Sequence, residues 1–340
     1  MTTDAPGSAP TLDVVAMGSA IVDVLARTTD AFIDDHDLVK GSMELVDLAR
    51  SDALYADLSA AMEASGGSAA NTAAGVASLG GRAGFIGKVR NDQLGKVFAH
   101  DITAVGVTSS PTMADEGPAT ARCLVMVTPD AERTMCTYLG AAGTLEADDV
   151  DLDLVRSATV LYAEGYLWDA PPAKDALMRA FDVAHEAGRR TAFTLSDPFC
   201  VDRFRDEFVE LIDDRIDLVF ANQHELCSLF EVDDLDQAVE HAKSHPATWA
   251  VTRSDQGSIV FAGGERFDVP ASPVDEVVDT TGAGDLYAAG FLYGYTRDLA
   301  LTRCAAIGSM AAAEVISHVG ARPLAPLAEL LADLLDTDAD

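Results

Sequence analysis

The chain has 340 residues, 49% of them hydrophobic, and a formal net charge of −33. That length suits one large α/β domain or two ordinary ones, and the acidity opposes partnership with nucleic acid or an anionic membrane. No apolar run reaches the roughly 18 residues of a membrane-spanning helix.

The N-terminal segment MTTDAPGSAPT lacks the basic and apolar regions of a signal peptide and reads as a short disordered tail over 1–11. The five cysteines, Cys123, Cys136, Cys200, Cys227 and Cys304, are scattered and form no CxxC. Such spacing suits free thiols in a reducing, cytoplasmic setting. Only five of the 23 basic residues are lysines, and with a net charge of −33 an anionic substrate needs a locally positive site.

In chain order, TLDVVAMGSAIVDVLA (11–26) reads as a buried strand, a glycine turn and a second strand. TDAFIDDHDL (29–38) and LARSDALYADLSAAMEA (48–64) have helical spacing and N-cap residues, with a short strand in GSMELVD between them. SAANTAAGVASLG (68–80) is a helix of small residues. RAGFIGKVR reads as one strand and DQLGKVFAHDITAVG as a helix. TARCLVMVTP (120–129) and RTMCTYLGAA (133–142) form a hairpin across PDAE.

From there strands and helices alternate. The strands are ATVLYAEG (158–165), RTAFTLS (190–196), IDLVFAN (216–222) and ATWAVTR (247–253), with helices starting near Pro171, Asp202, Glu225 and Asp236. Alternation of this kind predicts a parallel sheet with helices on both faces. Ligands of such sheets sit beyond the C-terminal strand ends, which here carry AEG, LSDPF, ANQHE and VTRSDQG.

The most informative stretch is VVDTTGAGDLYAAGFLYG (277–294). Val277-Val278 reads as the end of a strand and DLYAAGFLYGYT as a helix, which puts Gly282-Ala283-Gly284 at a helix N-terminus. Free N–H groups and the helix dipole make that an anion site, and the glycines allow close approach. An acid beside an anion repels it, unless the acid removes a proton from a hydroxyl that then attacks phosphorus. Asp285 is therefore the candidate base, with the 282–284 amides holding charge on the transferred group. The bland alternative is a first-turn acid that stabilises the helix by about 0.3–1 kcal/mol.

The other glycine-rich segment, 66–81, does not follow a strand as GxGxxG, so a dinucleotide-binding oxidoreductase is not indicated. Close helix packing explains its small residues, but Asn71 in such a helix needs polar partners. His241 and His245 are four apart on a helix without an HExxH pattern and indicate no metal site.

GGSAANTAAGVASLGGRAGFIGKVRNDQLG (66–95) together with DTTGAGDLYAAGFL (279–292) strongly resembles the two signatures of the ribokinase family, also called the PfkB family of sugar and nucleoside kinases. The likeness spans about residues 12–323. It implies a three-layer α/β/α domain over 12–330 with a mainly parallel central sheet, and a smaller discontinuous lid from about 24–63 and 112–141. It implies ATP as co-substrate and Mg²⁺.

Matched one by one, Asp23 corresponds to the acid that binds sugar hydroxyls, and Gly67, Ser68 and Asn71 to the substrate-side glycine loop. Asn222 and Glu225 match the NxxE that organises Mg²⁺ largely through water, which Mg²⁺ prefers to keep. Arg133 matches a lid arginine that reaches the transferred phosphate. Thr252 and Gly257 match the nucleotide loop, along with Asn222, Gly282 and Gly284, although Arg253-Ser254 departs from the common pattern. Asp279 and Thr281 match a loop that in some relatives holds a monovalent cation such as K⁺.

Two helices in the first lid segment, and LSDPF before the NxxE strand, resemble the adenosine kinase branch, whose members tend to be monomers; sugar kinases of this family often pair lids as dimers. Adenosine is the expected substrate. Tyr166 and Trp168 stand where that branch stacks aromatics on the purine, in a shifted register. Ribose or fructose is the alternative, and a non-catalytic ligand sensor on the same fold a third. Arg122 has no assigned role.

Overall fold

The computed structural model describes residues 9–109, 111–130, 132–330 and 332. The expected N-terminal tail lies mostly outside these residues.

The strands are β1 Leu12–Met17, β2 Ile21–Arg27, β3 Met43–Leu45, β4 Ala61–Gly66, β5 Ala83–Ile86, β6 Lys88–Arg90, β7 Thr108–Ser109, β8 Thr112–Ala114, β9 Ala121–Val127, β10 Arg133–Tyr138, β11 Ala158–Glu164, β12 Arg190–Thr194, β13 Leu218–Asn222, β14 Thr248–Thr252, β15 Ser258–Ala262 and β16 Glu265–Val269. The helices used below are α1 Asp30–Asp35, α2 Leu48–Asp57, α3 Ser68–Ser78, α4 Gln93–Ala104, α5 Leu152–Ser157, α6 Pro171–Glu186, α7 Pro198–Arg215, α8 Gln223–Leu229, α9 Leu235–Ala242, α10 Ala283–Tyr295 and α11 Leu301–Val315.

The large sheet has nine strands in the order β16-β15-β14-β13-β12-β11-β1-β5-β7. It is parallel from β14 to β7 and antiparallel at β15 and β16. Its parallel strands are apolar on both faces because helices cover both. One face packs Phe181, Phe193, Phe208 and Trp249 under α5 to α9. The other packs Phe85, Phe98 and Phe291 under α3, α4, α10 and α11. This is the three-layer α/β/α arrangement expected from the resemblance.

The second sheet has five strands in the order β3-β10-β9-β2-β4. Val24, Leu124, Met126 and Cys136 bury one of its faces against Ile33 of α1 and Leu54 of α2. Arg122 gains a role here. Its Nε donates to Ser51 Oγ at 2.7 Å, its Nη2 pairs with Asp52, and its guanidinium lies 5.4 Å from the Tyr55 ring centroid, which ties α2 to β9.

Three expectations are corrected. The helix read over 48–64 stops at Asp57, and 61–66 instead forms β4 along β2. The strand read over 82–90 breaks at Gly87, and Lys88–Arg90 pairs with β8 in a separate ribbon. Val277-Val278 ends no strand: both side chains are exposed on an irregular segment, held by Val278 N–H donating to Ile316 O at 2.8 Å.

Candidate active site

Small residues bring the two motifs together. A Cβ on Gly75 of α3 would lie 2.6 Å from Ala289 Cβ and Leu286 Cδ1 of α10. The helices therefore approach closely, and the first turn of α3 meets the first turn of α10. Ser68 Oγ donates to Asp285 Oδ1 at 2.7 Å, and Asn71 Nδ2 donates to Oδ2 at 2.9 Å. Thr72 Oγ1 donates to the Asp285 carbonyl at 3.2 Å. Close packing and site building are thus one feature.

Burial raises the Asp285 carboxyl above its ordinary value, opposed by the Asn71 and Ser68 hydrogen bonds and the Arg322 guanidinium. Asp285 is thus an oriented carboxylate in poorly solvated surroundings, suited to proton abstraction.

Gly282 precedes α10 with φ +78° and gives no side-chain cap. A Cβ there would lie 2.7 Å from Ala321 O, so both conformation and space demand glycine. Gly284 differs, because nothing lies within 4 Å of a Cβ built on it. No side chain caps the N–H groups at the start of α10, although Ala283 N–H donates to Thr280 O at 3.3 Å, and Ala283 and Gly284 line a cleft of about 580 Å³ whose walls also include Thr252, Gly257, Val277 and Ile316. Asn222 lies beside it, paired in register with Thr252.

Asn222 caps α8. Its Oδ1 accepts from His224 N–H at 2.8 Å and Glu225 N–H at 2.9 Å, and its own N–H donates to Glu225 Oε2 at 2.8 Å. Asn222 Nδ2 donates to Glu225 Oε1, so both carboxylate oxygens are engaged. Burial pushes the Glu225 carboxyl up to about 7, and nearby Asp197 adds to that. A nearby cation relieves such a group. These residues therefore suit a hydrated Mg²⁺ held through water better than a directly ligated one.

Arg133, at the start of β10, crosses from the second sheet to the loop that precedes α10. Its Nη1 lies 2.7 Å from Asp279 Oδ1, and its Nη2 donates to Thr280 Oγ1 at 3.0 Å. Asp279 also accepts from Thr281 N–H at 2.9 Å, Thr281 Oγ1 at 2.6 Å and Gly320 N–H at 2.9 Å. Its cationic partner is a guanidinium; Oδ1 takes the Arg133 and Thr281 contacts, and Oδ2 takes the Gly320 N–H.

At the start of α3, Gly67 adopts φ +94°, and a Cβ there would lie 2.3 Å from Ser19 O. Asp23 projects from β2 into the space that a Gly66 Cβ would need. Burial, with Asp285 adding to it, pushes the Asp23 carboxyl up to about 7, while Arg322 opposes. Tyr166 is half-buried and turns its hydroxyl toward Ser196 O at 3.4 Å. Trp168 does not suit base stacking. It packs edge-on against Phe193 and Phe208 and donates its indole N–H to Glu207 at 2.8 Å, on the core side of the sheet. His241 and His245 stack on Phe230.

Two residues escaped the sequence reading. Glu164 ends β11 and is 1% exposed; its carboxylate accepts from Ser19 N–H at 2.7 Å and Ala69 N–H at 2.9 Å. It ties the β1–β2 turn to α3, and burial pushes it up to about 7. A carboxylate closing the apolar run VLYAEG was its signal. Arg322 reaches Asn71 Oδ1 at 3.3 Å from beyond both motifs, and nothing in the local sequence marked it.

A doubly covered parallel sheet, a second sheet facing its C-terminal edge, and an acid at an uncapped helix N-terminus beside a cleft define a small-molecule kinase of the ribokinase type. A family model described as pfkB family carbohydrate kinase matches residues 43–328, and the chain belongs to that family. It is a phosphotransferase that acts on a hydroxyl group of a sugar or nucleoside.

The chain is similar to the adenosine kinase of Sinorhizobium meliloti, at 51% identity and a TM-score of 0.90, covering 95% of this chain and 99% of that one. It is similar to a probable sugar kinase protein from Rhizobium etli CFN 42, at 47% identity and a TM-score of 0.91, covering 96% and 99%. Fructokinase-1 of Zea mays is 30% identical over 250 residues, 72% of this chain and 77% of that one.

Proposed function

We propose that this protein transfers the γ-phosphoryl group of ATP to the primary hydroxyl of a nucleoside, adenosine being the preferred acceptor and its 5′-OH the site. The observation that carries the chemistry is the Asp285 carboxylate, clamped by Ser68 and Asn71 at the uncapped start of α10. The observation that favours adenosine is the 51% identity, over nearly the full length of both chains, to a protein named adenosine kinase.

In this reading the acceptor sits over Asp285, with its sugar hydroxyls on Asp23. ATP lies in the cleft beside Thr252, Gly257 and Gly284, with its terminal phosphate at the start of α10. Asp285 takes the hydroxyl proton as the hydroxyl oxygen bonds to the γ-phosphorus. The bond from that phosphorus to the bridging oxygen breaks, and ADP leaves with the electron pair. The 282–284 amides stabilise charge on the equatorial oxygens. Asn222 and Glu225 would hold the water shell of a Mg²⁺ bound with ATP, and that ion would supply charge neutralisation at the phosphates. Arg133 joins the second sheet to this centre, and that sheet acts as a lid over about 24–63 and 112–141 that excludes water.

A free sugar as acceptor is the second reading, favoured by the similarity to fructokinase-1 and to the probable sugar kinase. The test is ADP release by purified protein with ATP and Mg²⁺, comparing adenosine, inosine, cytidine, ribose and fructose. Turnover at micromolar adenosine is expected. Turnover with ribose or fructose alone contradicts the nucleoside reading and leaves the Asp285 chemistry standing.

A further inference from the structure

Arg322 belongs to neither motif, yet its loop is stitched to the centre one residue at a time. Gly320 N–H donates to Asp279 Oδ2 at 2.9 Å. The Ala321 backbone occupies the space that a Gly282 side chain would need. Arg322 Nε donates to Asn71 Oδ1 at 3.3 Å, and Nη1 donates to Ser65 Oγ on β4. Arg322 Nη2 is buried without a hydrogen-bond partner.

We propose that Arg322 is a positioning residue that sets the Asp285 carboxylate through Asn71; this rests on Asp285 being the base. The Asn71 amide has one acceptor end and one donor end. As found, the acceptor faces the guanidinium and the donor faces Asp285. Turning the amide over would set its oxygen against the carboxylate and its NH₂ against the guanidinium, replacing two hydrogen bonds with two repulsive contacts. Arg322 therefore selects the amide orientation. Asn71 and Ser68 then hold the two Asp285 oxygens, leaving the carboxylate little freedom to swing from the acceptor hydroxyl. The guanidinium fork reaches Asn71 and Ser65 at once, which a lysine ammonium does not reproduce.

Charge adds to geometry. Asp23, Glu164, Tyr162 and Arg322 act electrostatically with Asp285. Among the described residues in that set, Arg322 alone is a cation. Its removal leaves the base among acidic groups and raises the pH at which it ionises.

The test uses the full chain as wild type, Arg322→Gln, Arg322→Lys, Asn71→Ala and the Asn71→Ala/Arg322→Gln double variant. The acceptor is the best of the five compared above. Arg322→Gln is expected to lower kcat roughly 10- to 100-fold and to move the acid limb of the pH profile up by about one unit, with KM for ATP within about two-fold. Arg322→Lys restores the limb and only part of kcat. On the plateau of the pH profile, the Arg322→Gln loss of kcat in the Asn71→Ala background shrinks to under about three-fold, because the intermediary is gone, while the direct charge effect on the limb persists.

Wild-type kcat and pH limb in Arg322→Gln overturn the proposal, as does an undiminished loss in the Asn71→Ala background. If Arg322→Gln does not fold in melting experiments, Arg322→Lys in both backgrounds supplies the same coupling. Asp285→Asn separates the two assignments. Retained turnover there removes the base and this proposal together, whereas an inactive Asp285→Asn beside an unaffected Arg322→Gln removes this proposal alone.

Discussion

Ser68 and Asp285 stand 217 positions apart in the chain and share a hydrogen bond of 2.7 Å. The bond joins the first turns of α3 and α10, so the packing of two small-residue helices is read out as the position of one carboxylate. A hydrogen bond to a charged group contributes about 1.5–3 kcal/mol. Ser68→Ala is therefore expected to lower kcat about ten-fold or more and to move its acid limb to higher pH, since the bond favours ionised Asp285. A pH–rate series checks this, and an unshifted limb would exclude the bond from setting the base.

The glycines at the start of α10 should separate fold from chemistry. Gly282→Ala meets both a positive φ and the Ala321 backbone, and is expected to destabilise by about 1–3 kcal/mol. Gly284→Ala meets open space and replaces a helical glycine, so its melting temperature should hold or rise. Its kcat/KM for ATP should nonetheless fall at least about ten-fold, because the methyl blocks an anion approaching the amides. Wild-type kcat/KM in Gly284→Ala would show that no phosphate comes that close.

Asn222→Ala and Glu225→Gln remove the engaged pair at the start of α8. Both should raise the Mg²⁺ concentration for half-maximal rate several-fold while changing acceptor KM little. Titration of Mg²⁺ at fixed ATP decides this, and superimposable curves would take the pair out of the ion's surroundings.

Glu164 ties stability to pH. Burial raises its carboxyl to about 7, against an ordinary value near 4 in the unfolded chain. The folded state then binds more protons between those values, and stability falls as pH rises through that window. Asp23 and Glu225 act in the same sense. The unliganded protein should melt higher at pH 6 than at pH 8, and Glu164→Gln should flatten that slope. Because Glu164 is buried, its share should persist at high salt, unlike surface repulsion. A slope unchanged in Glu164→Gln would take Glu164 out of the effect, leaving Asp23 and Glu225 if the slope survives high salt and the acidic surface if it does not.

Much of this was legible in the chain because the informative patterns are local. The alternating apolar runs specify the parallel sheet, and the glycine–acid motif at 282–285 marks the start of α10, where Asp285 is held without a side-chain cap. What was not legible depends on partners distant in sequence. Ala61–Gly66 contains good helix formers, yet pairing with β2 makes it a strand. Val277 is β-branched and signals a strand, but it serves as an exposed wall of the cleft. Trp168 had the right neighbourhood for stacking, and only the packing of Phe193 and Phe208 shows which side of the sheet it takes. Arg322 touches Asn71 across 251 positions, and no local spacing records such a contact.

The central claim is that Asp285 is the proton acceptor for phosphoryl transfer. The direct measurement is kcat of Asp285→Asn with ATP, Mg²⁺ and the preferred acceptor, alongside calorimetric titration of nucleotide binding. Loss of kcat by about two to four orders of magnitude is expected, with nucleotide affinity largely retained, since a general base acts in the transition state. Near wild-type turnover in a folded Asp285→Asn protein would contradict it.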